Sequence, residues 1–154
     1  MRLEHAYREI QAQVHPDRFA SSGDAERRAS MQWTTRVNEA YRTLRSPVLR
    51  AKYLLELEGV DVGFETNTAM PADFLMRHME LREALEAAGE SKSATALDEL
   101  RESLRADRAK LERALAEAID ARKDYESAAG LTRKLMFLDK LDIEIDVAYE
   151  SLEA

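Results

Sequence analysis

Apolar residues recur at intervals of three and four along most of this 154-residue chain. The first run consists of Leu3, Tyr7, Ile10 and Val14. The second holds its spacing over four turns and consists of Ala29, Trp33, Val37, Ala40, Tyr41 and Leu44. Such spacing is typical of amphipathic helices. Only five glycines and three prolines interrupt the chain, and β-branched residues are too few for a sheet protein. The pattern therefore predicts an all-α fold.

The helix pattern also divides the chain into two domains. Helices are predicted at residues 2–14, 24–45, 48–58, 71–88, 91–123 and 127–154. The first two should form an αα-hairpin whose apolar stripes pack together, and the last three an antiparallel bundle. Ser46 and Pro47 should open the third helix, while Gly59 and Gly89 should end the helices before them. We expect domains at 1–59 and 70–154, joined by a linker at 60–69 in which Val60, Val62 and Phe64 pack on a neighbour.

Composition and charge exclude several classes of protein. The absence of cysteine excludes disulfides and thiolate-ligated zinc or iron–sulfur sites in this chain. A net charge of −7 argues against a general nucleic-acid binder. The alternating charges from Asp98 to Arg122 indicate a solvated helix face with pairs four residues apart. No signal peptide or membrane-length apolar run is evident, so a cytoplasmic protein is expected.

Catalytic and metal-binding patterns are equally scarce. The sequence has no glycine-rich phosphate loop and no hydrolase arrangement of nucleophile, histidine and carboxylate. His5 and His15 are ten residues apart, which is not a chelating spacing on a helix. We therefore expect neither enzymatic activity, nor a cofactor, nor a metal site.

One pointed feature, His15-Pro16-Asp17, lies between the first two helices. Proline fixes its own backbone and disfavours the α region for the residue before it, so a helix arriving at His15 should stop there. An imidazole and a carboxylate would then project from a loop held by rigid helices, a common setting for functional residues. The alternative is that Pro16 only punctuates a turn, with Asp17 supplying turn chemistry.

The helix predicted at 71–88 has more apolar residues than one face can hold. Its core face should consist of Phe74, His78, Leu81, Leu85 and Ala88. The other side carries Leu75, Met76, Met79, Glu80 and Glu83. Methionines flanked by carboxylates indicate an adaptable binding surface. The alternative is that another helix or the first domain covers this face. Met136, Phe137, Ile143 and Val147 similarly lie off the main stripe of the last helix.

A helix, His-Pro-Asp and a second helix resemble the J-domains, co-chaperone modules that stimulate the ATPase of DnaK-type chaperones. More specifically, the chain resembles the HscB family, the J-proteins of iron–sulfur cluster assembly. The matching segments are VHPDRFA (14–20), NEAYRTLRSPVLRAKYLLELEG (38–59), FLMRHMELREALE (74–86) and RKLMFLDKL (133–141). A generic J-protein would share only the first part, so the last two segments carry the specificity.

This resemblance implies an L-shaped pair of domains, with a J-domain docked on an antiparallel three-helix bundle. The chaperone-binding residues, for a partner of the HscA or DnaK type, would be His15, Pro16, Asp17, Arg8 and Arg18. The residues binding an IscU-type scaffold protein would be Leu75, Met76, Met79, Glu80, Glu83 and Phe137. The protein would act as a co-chaperone that holds no cluster itself.

The first departure from the family pattern is a helix that family members have before the hairpin. Family members begin with a further helix and loop, for which we find no counterpart before Leu3. We therefore expect Leu3, Tyr7, Trp33 and Leu44 to lack part of their cover. The domain should then be looser, or should self-associate in what is otherwise expected to be a monomer.

Charge departs from the family pattern in both domains. The helix at 2–14 carries Arg2 and Arg8 but also Glu4 and Glu9. Its attraction to the chaperone should therefore be weaker than that of the basic helix found in the family. A further acidic contact position of the family is Ala87 here.

Two other functions fit the same patterns. The chain could be a J-domain co-chaperone that serves a different client protein. It could also be a helical interaction protein, without a chaperone role, that oligomerises through its methionine-rich face.

Overall fold

A computed structural model describes residues 2–63 and 69–154. The helices are α1 (Arg2–Val14), α2 (Asp24–Arg45), α3 (Pro47–Leu57), α4 (Ala72–Glu90), α5 (Ala94–Ala116) and α6 (Tyr125–Glu153). A short 3-10 turn spans Pro16–Phe19, and a wider π-helical turn, Glu117–Ala121, follows α5. The chain divides into two compact units, unit 1 (Met1–Tyr53) and unit 2 (Leu54–Ala154).

Helices α1 and α2 of unit 1 form the predicted antiparallel hairpin. The rings of Tyr7 and Tyr41 stack with their centroids 4.1 Å apart. The Tyr7 hydroxyl also donates a hydrogen bond to Oδ1 of Asn38, at 2.6 Å. At the end of α1, the Val14 carbonyl accepts a hydrogen bond from the hydroxyl of Ser30, near the start of α2. Early residues of α1 therefore meet late residues of α2, which fixes the antiparallel direction.

The prediction that the apolar stripes of α1 and α2 pack together is wrong for part of each stripe. Ala29, Trp33 and Ala40 are exposed, as is Ile10 of α1. Helix α2 instead turns Ser30 inward, where its side chain is buried. A hydroxyl is favoured at this position because it satisfies a carbonyl at the end of α1 that no helical amide can reach. Of the four residues expected to lack part of their cover, three are half-buried: Leu3, Tyr7 and Leu44. The fourth, Trp33, is 59% exposed.

Helix α3 begins and ends close to the predicted residues. The Ser46 hydroxyl accepts a hydrogen bond from the Leu49 amide at 3.2 Å, as an N-terminal cap should. Pro47 is the first helical residue and Leu57 the last. Gly59 has a φ of +77°, a left-handed conformation that glycine adopts without a steric penalty.

The division between the units falls earlier than the predicted linker at 60–69. It lies within α3, between Tyr53 and Leu54. Val62 is 1% exposed, and its carbonyl accepts a hydrogen bond from Nη1 of Arg133 at 2.7 Å. This part of the predicted linker is therefore anchored to α6. Phe64, also expected to pack on a neighbour, lies outside the described residues.

Helices α4, α5 and α6 form the predicted bundle. Its core consists of Leu81, Leu100, Leu104, Leu138, Leu141 and Ile145, with Phe74, Leu85, Leu111 and Tyr149 packed against them. The core face predicted for α4 is confirmed, because each of its five residues is buried or half-buried. The apolar stripes of the three helices thus account for the interior of unit 2.

The charged face of α5 differs from its prediction. Arg105 pairs with Glu102 within the helix, at 3.1 Å. Arg101 and Arg108, however, reach across to carboxylates of α6: Arg101 pairs with Asp146 and, at 3.6 Å, with Asp142, and Arg108 pairs with Asp139. These two arginines of α5 pair between helices rather than within α5 because α6 offers acidic residues on the facing side.

Helix ends in unit 2 differ from the predicted ends by a few residues. Gly89 does not end α4, which continues to Glu90, and Lys92 makes the turn with a φ of +50°. Ser93 then caps α5, its hydroxyl accepting a hydrogen bond from the Ala96 amide at 3.1 Å. Asp124 caps α6, and its hydrogen bonds from the Ser127 hydroxyl and amide lower the pKa of its carboxyl group. Capping side chains therefore determine the starts of α5 and α6, and a lysine rather than a glycine makes the turn after α4.

Candidate functional site

The His15-Pro16-Asp17 segment forms a loop immediately after α1, as predicted. Helix α1 ends at Val14, and His15 has an extended backbone with a φ of −57° and a ψ of 135°. Pro16 then opens the 3-10 turn, which is closed by a hydrogen bond from the Arg18 amide to the His15 carbonyl at 3.0 Å. The proline ring therefore ends one helix and starts a rigid turn.

Hydrogen bonding within this loop leaves the Asp17 carboxylate available to a partner. Nδ1 of His15 accepts a hydrogen bond from the Asp17 amide at 3.2 Å and lies 3.6 Å from the Asp17 carboxylate. In a neutral imidazole this arrangement leaves the proton on Nε2. The Asp17 side chain is 94% exposed. The carboxylate is thus well placed to accept a charge-assisted hydrogen bond from an arginine or lysine of another protein.

The two arginines predicted to accompany the loop differ in their surroundings. Nη2 of Arg8 lies 2.6 Å from the Glu4 carboxylate, so its charge is partly compensated within α1. Arg18 is exposed and forms no ion pair with any residue in the described part of the chain. Arg18 is therefore the more available cation near the loop.

The second predicted surface lies on the outer side of α4. We call Leu75, Met76, Met79, Glu80 and Glu83 the α4 patch. Leu75, Met76 and Met79 are 42%, 65% and 60% exposed, and both glutamates are exposed. The other helices of unit 2 do not cover this apolar surface. The alternative that another helix of the bundle covers the face is therefore wrong.

Phe137, the sixth predicted scaffold-binding residue, lies on α6 against the core side of α4. Its ring makes edge-to-face contacts with Phe74 and His78, with centroids 6.2 and 5.6 Å apart. It is half-buried rather than fully exposed. Phe137 therefore both packs the α4–α6 interface and presents part of its ring to solvent.

Two arginines that the sequence analysis did not single out hold α4 in place. Arg77 bonds the Asp107 carboxylate of α5 at 2.7 Å, and these contacts raise the pKa of its guanidinium group. Arg82 forms a two-point pair with Glu144 of α6, at 2.9 and 2.8 Å. The α4 patch is thus presented by a helix fixed on both flanks. No sequence signal identifies such pairs, because each joins residues at least thirty positions apart.

A cavity of about 310 Å³ adjoins Phe74 and His78 among the three helices. Buried and half-buried leucines form its apolar part: Leu81, Leu111 and Leu138. Its charged lining consists of Asp73, Arg77, Asp107, Lys110 and Lys134. Three helices contribute to it, so the sequence pattern of any one helix could not have predicted it.

Other site types find little support in the described ranges. No group of three or more histidine and carboxylate side chains there is arranged to hold a metal ion. His5 pairs with Glu9, at 3.2 Å, on the surface of α1. Nor does any helix among these residues combine the length and apolar character needed to cross a membrane.

His78 should make the stability of unit 2 depend on pH. Burial, followed by the nearby Arg82 charge, lowers its pKa below the ordinary value of 6.5, although Glu144 opposes the shift. As pH falls below 6.5, unfolded chains therefore take up this proton before folded ones, and stability decreases until the pH drops below the folded-state pKa. Urea denaturation between pH 7.5 and 5.5 should show a smaller loss of stability for His78→Gln than for the unmodified chain.

The matched control for this measurement is His5→Gln. His5 is an exposed histidine of unit 1, with 76% of its side chain accessible. The control should retain the full pH dependence of unit 2. An unchanged dependence in His78→Gln would show that this imidazole does not contribute.

Comparisons with known proteins match the C-terminal half of the chain and also nearly its whole length. Residues 70–146 match the family model described as the HSCB C-terminal oligomerisation domain. Curated relatives include the co-chaperone protein HscB homologs of Aromatoleum aromaticum and Burkholderia multivorans. Each is 52% identical to this chain, and the alignments cover 98% of this chain and 85% and 86% of the relatives.

Solved structures extend the match to the fold. The chaperone HscB from Vibrio cholerae superposes with a TM-score of 0.84 at 32% identity, covering 97% of this chain and 88% of that one. The human co-chaperone protein HscB superposes with a TM-score of 0.86 at 30% identity, covering 94% and 71%. These matches confirm the predicted fold class, a helical J-domain with a helical bundle. The chain belongs to the HscB family of co-chaperones.

Proposed function

We propose that this protein delivers an IscU-type iron–sulfur scaffold protein to a DnaK- or HscA-type chaperone in the cytoplasm and stimulates the ATPase of that chaperone. The His15-Pro16-Asp17 loop would contact the chaperone. The α4 patch together with Phe137 would bind the scaffold. The observation that carries the proposal is the exposure of both surfaces, one in each unit: the Asp17 carboxylate is 94% exposed and Met76 is 65% exposed.

The distribution of charge supports a division of labour between the units. Unit 1 has ten Lys and Arg residues against six Asp and Glu, a formal charge of +4. Unit 2 has thirteen against twenty-four, a formal charge of −11. Opposite fields of this kind favour partners of opposite charge and speed their encounter. Unit 1 is thus suited to an acidic surface and unit 2 to a basic one.

The chemistry of the α4 patch supports a protein partner. Unbranched methionine side chains adjust to irregular surfaces and contribute apolar contact, while Glu80 and Glu83 add charge at the edge. Arg77 lies 3.4 Å from Glu80 and 2.7 Å from Asp107, so one carboxylate of the patch is also tied to the bundle. Such an arrangement fixes part of the surface before binding, which reduces the entropic cost of association.

The mechanism is a shift of population in the chaperone. Contacts that are stronger with the hydrolysis-competent state than with the resting state raise the fraction of that state. The co-chaperone needs no catalytic group of its own for this effect. Scaffold held on unit 2 would reach the chaperone at a high effective concentration.

Steady-state ATP hydrolysis by the chaperone tests the proposal directly. The four arms are chaperone alone, chaperone with this protein, chaperone with scaffold, and all three together. We expect stimulation by this protein that increases further when scaffold is added. Stimulation without any effect of scaffold, together with no scaffold binding by calorimetry, would indicate a J-domain co-chaperone with another client. No stimulation by this protein would contradict the chaperone role.

The family model suggests self-association as a second candidate function, since its description names an oligomerisation domain. The exposed methionines of the α4 patch offer a surface for it. Light scattering over a range of protein concentrations would reveal a mass that increases with concentration. A constant monomer mass would leave the patch available for a different protein.

A further inference from the structure

We infer that Ser30 and Thr34 of α2 are positioning residues for the His15-Pro16-Asp17 loop and act through the Val14 carbonyl. The inference deepens the proposed function and rests on it for the role of the loop in ATPase stimulation. Its structural part, that these hydroxyls fix the loop, does not depend on that function and has a separate test.

The Val14 carbonyl is the point of attachment. Val14 is the last residue of α1, and carbonyls in the last turn of a helix have no amide partner within it. The Ser30 hydroxyl lies 2.5 Å from this oxygen and the Thr34 hydroxyl 3.2 Å from it. Helix α2 therefore supplies the donors that α1 lacks at its end.

Of the two hydroxyls, that of Ser30 makes the dedicated bond. A hydroxyl has one proton to donate, and Thr34 also lies 2.9 Å from the carbonyl of Ser30 within its own helix. Thr34 must divide its donation between these oxygens. Ser30 is buried, and its hydroxyl has the shorter contact with Val14. Its removal should therefore have the larger effect.

The partner chosen by Ser30 is unusual for a serine inside a helix. Such hydroxyls commonly bond the carbonyl four residues earlier in their own helix. Thr35, also in α2, does so, with its hydroxyl 3.0 Å from the Met31 carbonyl. Ser30 instead bonds a residue sixteen positions earlier. A buried hydroxyl costs free energy unless it is paired, so this contact accounts for a serine in the hairpin interior.

The bond is well placed to orient the loop. The Val14 carbonyl belongs to the peptide group that leads into His15. Pro16 restricts the backbone of His15 and fixes its own φ. On the far side, the Arg18 amide closes the turn onto the His15 carbonyl at 3.0 Å. Fixing the Val14 carbonyl to α2 therefore fixes where this rigid turn points, and with it the Asp17 carboxylate.

The test of the structural part measures amide hydrogen exchange by NMR in Ser30→Ala and in the control Thr35→Val, both in the full chain. The control removes a hydroxyl from the same helix that donates its hydrogen bond within α2, to the Met31 carbonyl. Loss of a net hydrogen bond should accelerate exchange at Asp17 and Arg18 about fivefold in Ser30→Ala, and leave it unchanged in Thr35→Val. Exchange at Asp17 and Arg18 should be faster in the double variant Ser30→Ala/Thr34→Val than in Ser30→Ala.

The functional test measures chaperone ATPase stimulation over a range of co-chaperone concentrations. A loop that is correctly placed for only part of the time weakens apparent binding in proportion to that fraction. Ser30→Ala should thus raise the half-saturating concentration about fivefold, keep the plateau and leave scaffold affinity unchanged, whereas Thr35→Val should match the unmodified protein.

The outcomes separate this inference from the proposed function. Unchanged exchange at Asp17 and Arg18 in Ser30→Ala would overturn the inference, whatever the ATPase does. Acceleration spread evenly over α1 would also overturn it, because it would indicate general loosening of the hairpin. A third outcome is that exchange in the loop accelerates in Ser30→Ala but the unmodified protein does not stimulate the chaperone. This result would contradict the proposed function, while the positioning role would stand.

Discussion

At the concentration that half-saturates the unmodified protein, replacing Asp17 with asparagine should remove most or all stimulation of the chaperone ATPase while leaving scaffold binding unchanged. Asparagine keeps the shape of the side chain but loses its charge, and a charge-assisted hydrogen bond is worth roughly 1.5–3 kcal/mol. A loss of this size weakens the contact by about 10- to 150-fold. Because the side chain is 94% exposed, the fold should tolerate the change. The measurement is ATP hydrolysis by the chaperone as the concentration of each variant rises, with scaffold affinity measured by calorimetry.

The matched control for Asp17→Asn is Asp24→Asn. Asp24 is another exposed aspartate of unit 1, with 75% of its side chain accessible, and it pairs with Arg27 at the start of α2. The control removes the same charge from the unit and should retain nearly full stimulation. If both variants lost activity equally, the total charge of unit 1 would matter rather than the loop. Normal stimulation by Asp17→Asn would mean that the loop is an ordinary turn.

Local rules predicted the helices of this protein well because each rule acts within a few residues. The apolar spacing located α1 and α2 to the residue, and Ser46 with Pro47 located the start of α3. The rule that a proline ends the preceding helix placed the His15 loop. The α4 patch could also be predicted, since one helix cannot bury two apolar faces in a bundle of three.

The sequence could not predict contacts between helices. Ser30 reads as an ordinary polar residue until its hydroxyl is seen to face the end of α1, sixteen positions away. Arg77 and Arg82 read as solvent-exposed charges until α5 and α6 bring Asp107 and Glu144 beside them. The prediction that Gly89 ends α4 failed for a related reason. Lys92 makes the turn instead, and its sequence gives no signal for a positive φ.

The exposure of Trp33 follows from the same limitation. Periodicity shows that a helix has an apolar face, but it does not show which neighbour meets that face. In unit 1, α1 meets the side of α2 that carries Ser30, Asn38 and Tyr41, so Trp33 remains 59% exposed. In unit 2 the corresponding prediction for α4 is confirmed, because two long helices enclose its core face.

The double variant Leu75→Ala/Met79→Ala should lose most of its affinity for the scaffold while stimulating the chaperone normally when scaffold is absent. Both side chains are substantially exposed, at 42% and 60%, so the bundle should keep its stability. Burying such side chains at an interface contributes about 1–1.5 kcal/mol each, which together corresponds to a roughly 30- to 150-fold loss of affinity. Isothermal titration calorimetry with the scaffold protein measures this loss directly.

The matched control for this pair is Ile143→Ala/Val147→Ala. These residues are also apolar, four positions apart and exposed, at 63% and 54%, but they lie on α6 outside the α4 patch. If scaffold binding depends on the α4 patch, the control should bind as tightly as the unmodified protein. Equal losses in both variants would indicate general hydrophobic attraction to the bundle. A loss confined to the α6 pair would move the binding surface to the outer face of that helix, because both pairs are apolar and substantially exposed and differ in the helix that carries them.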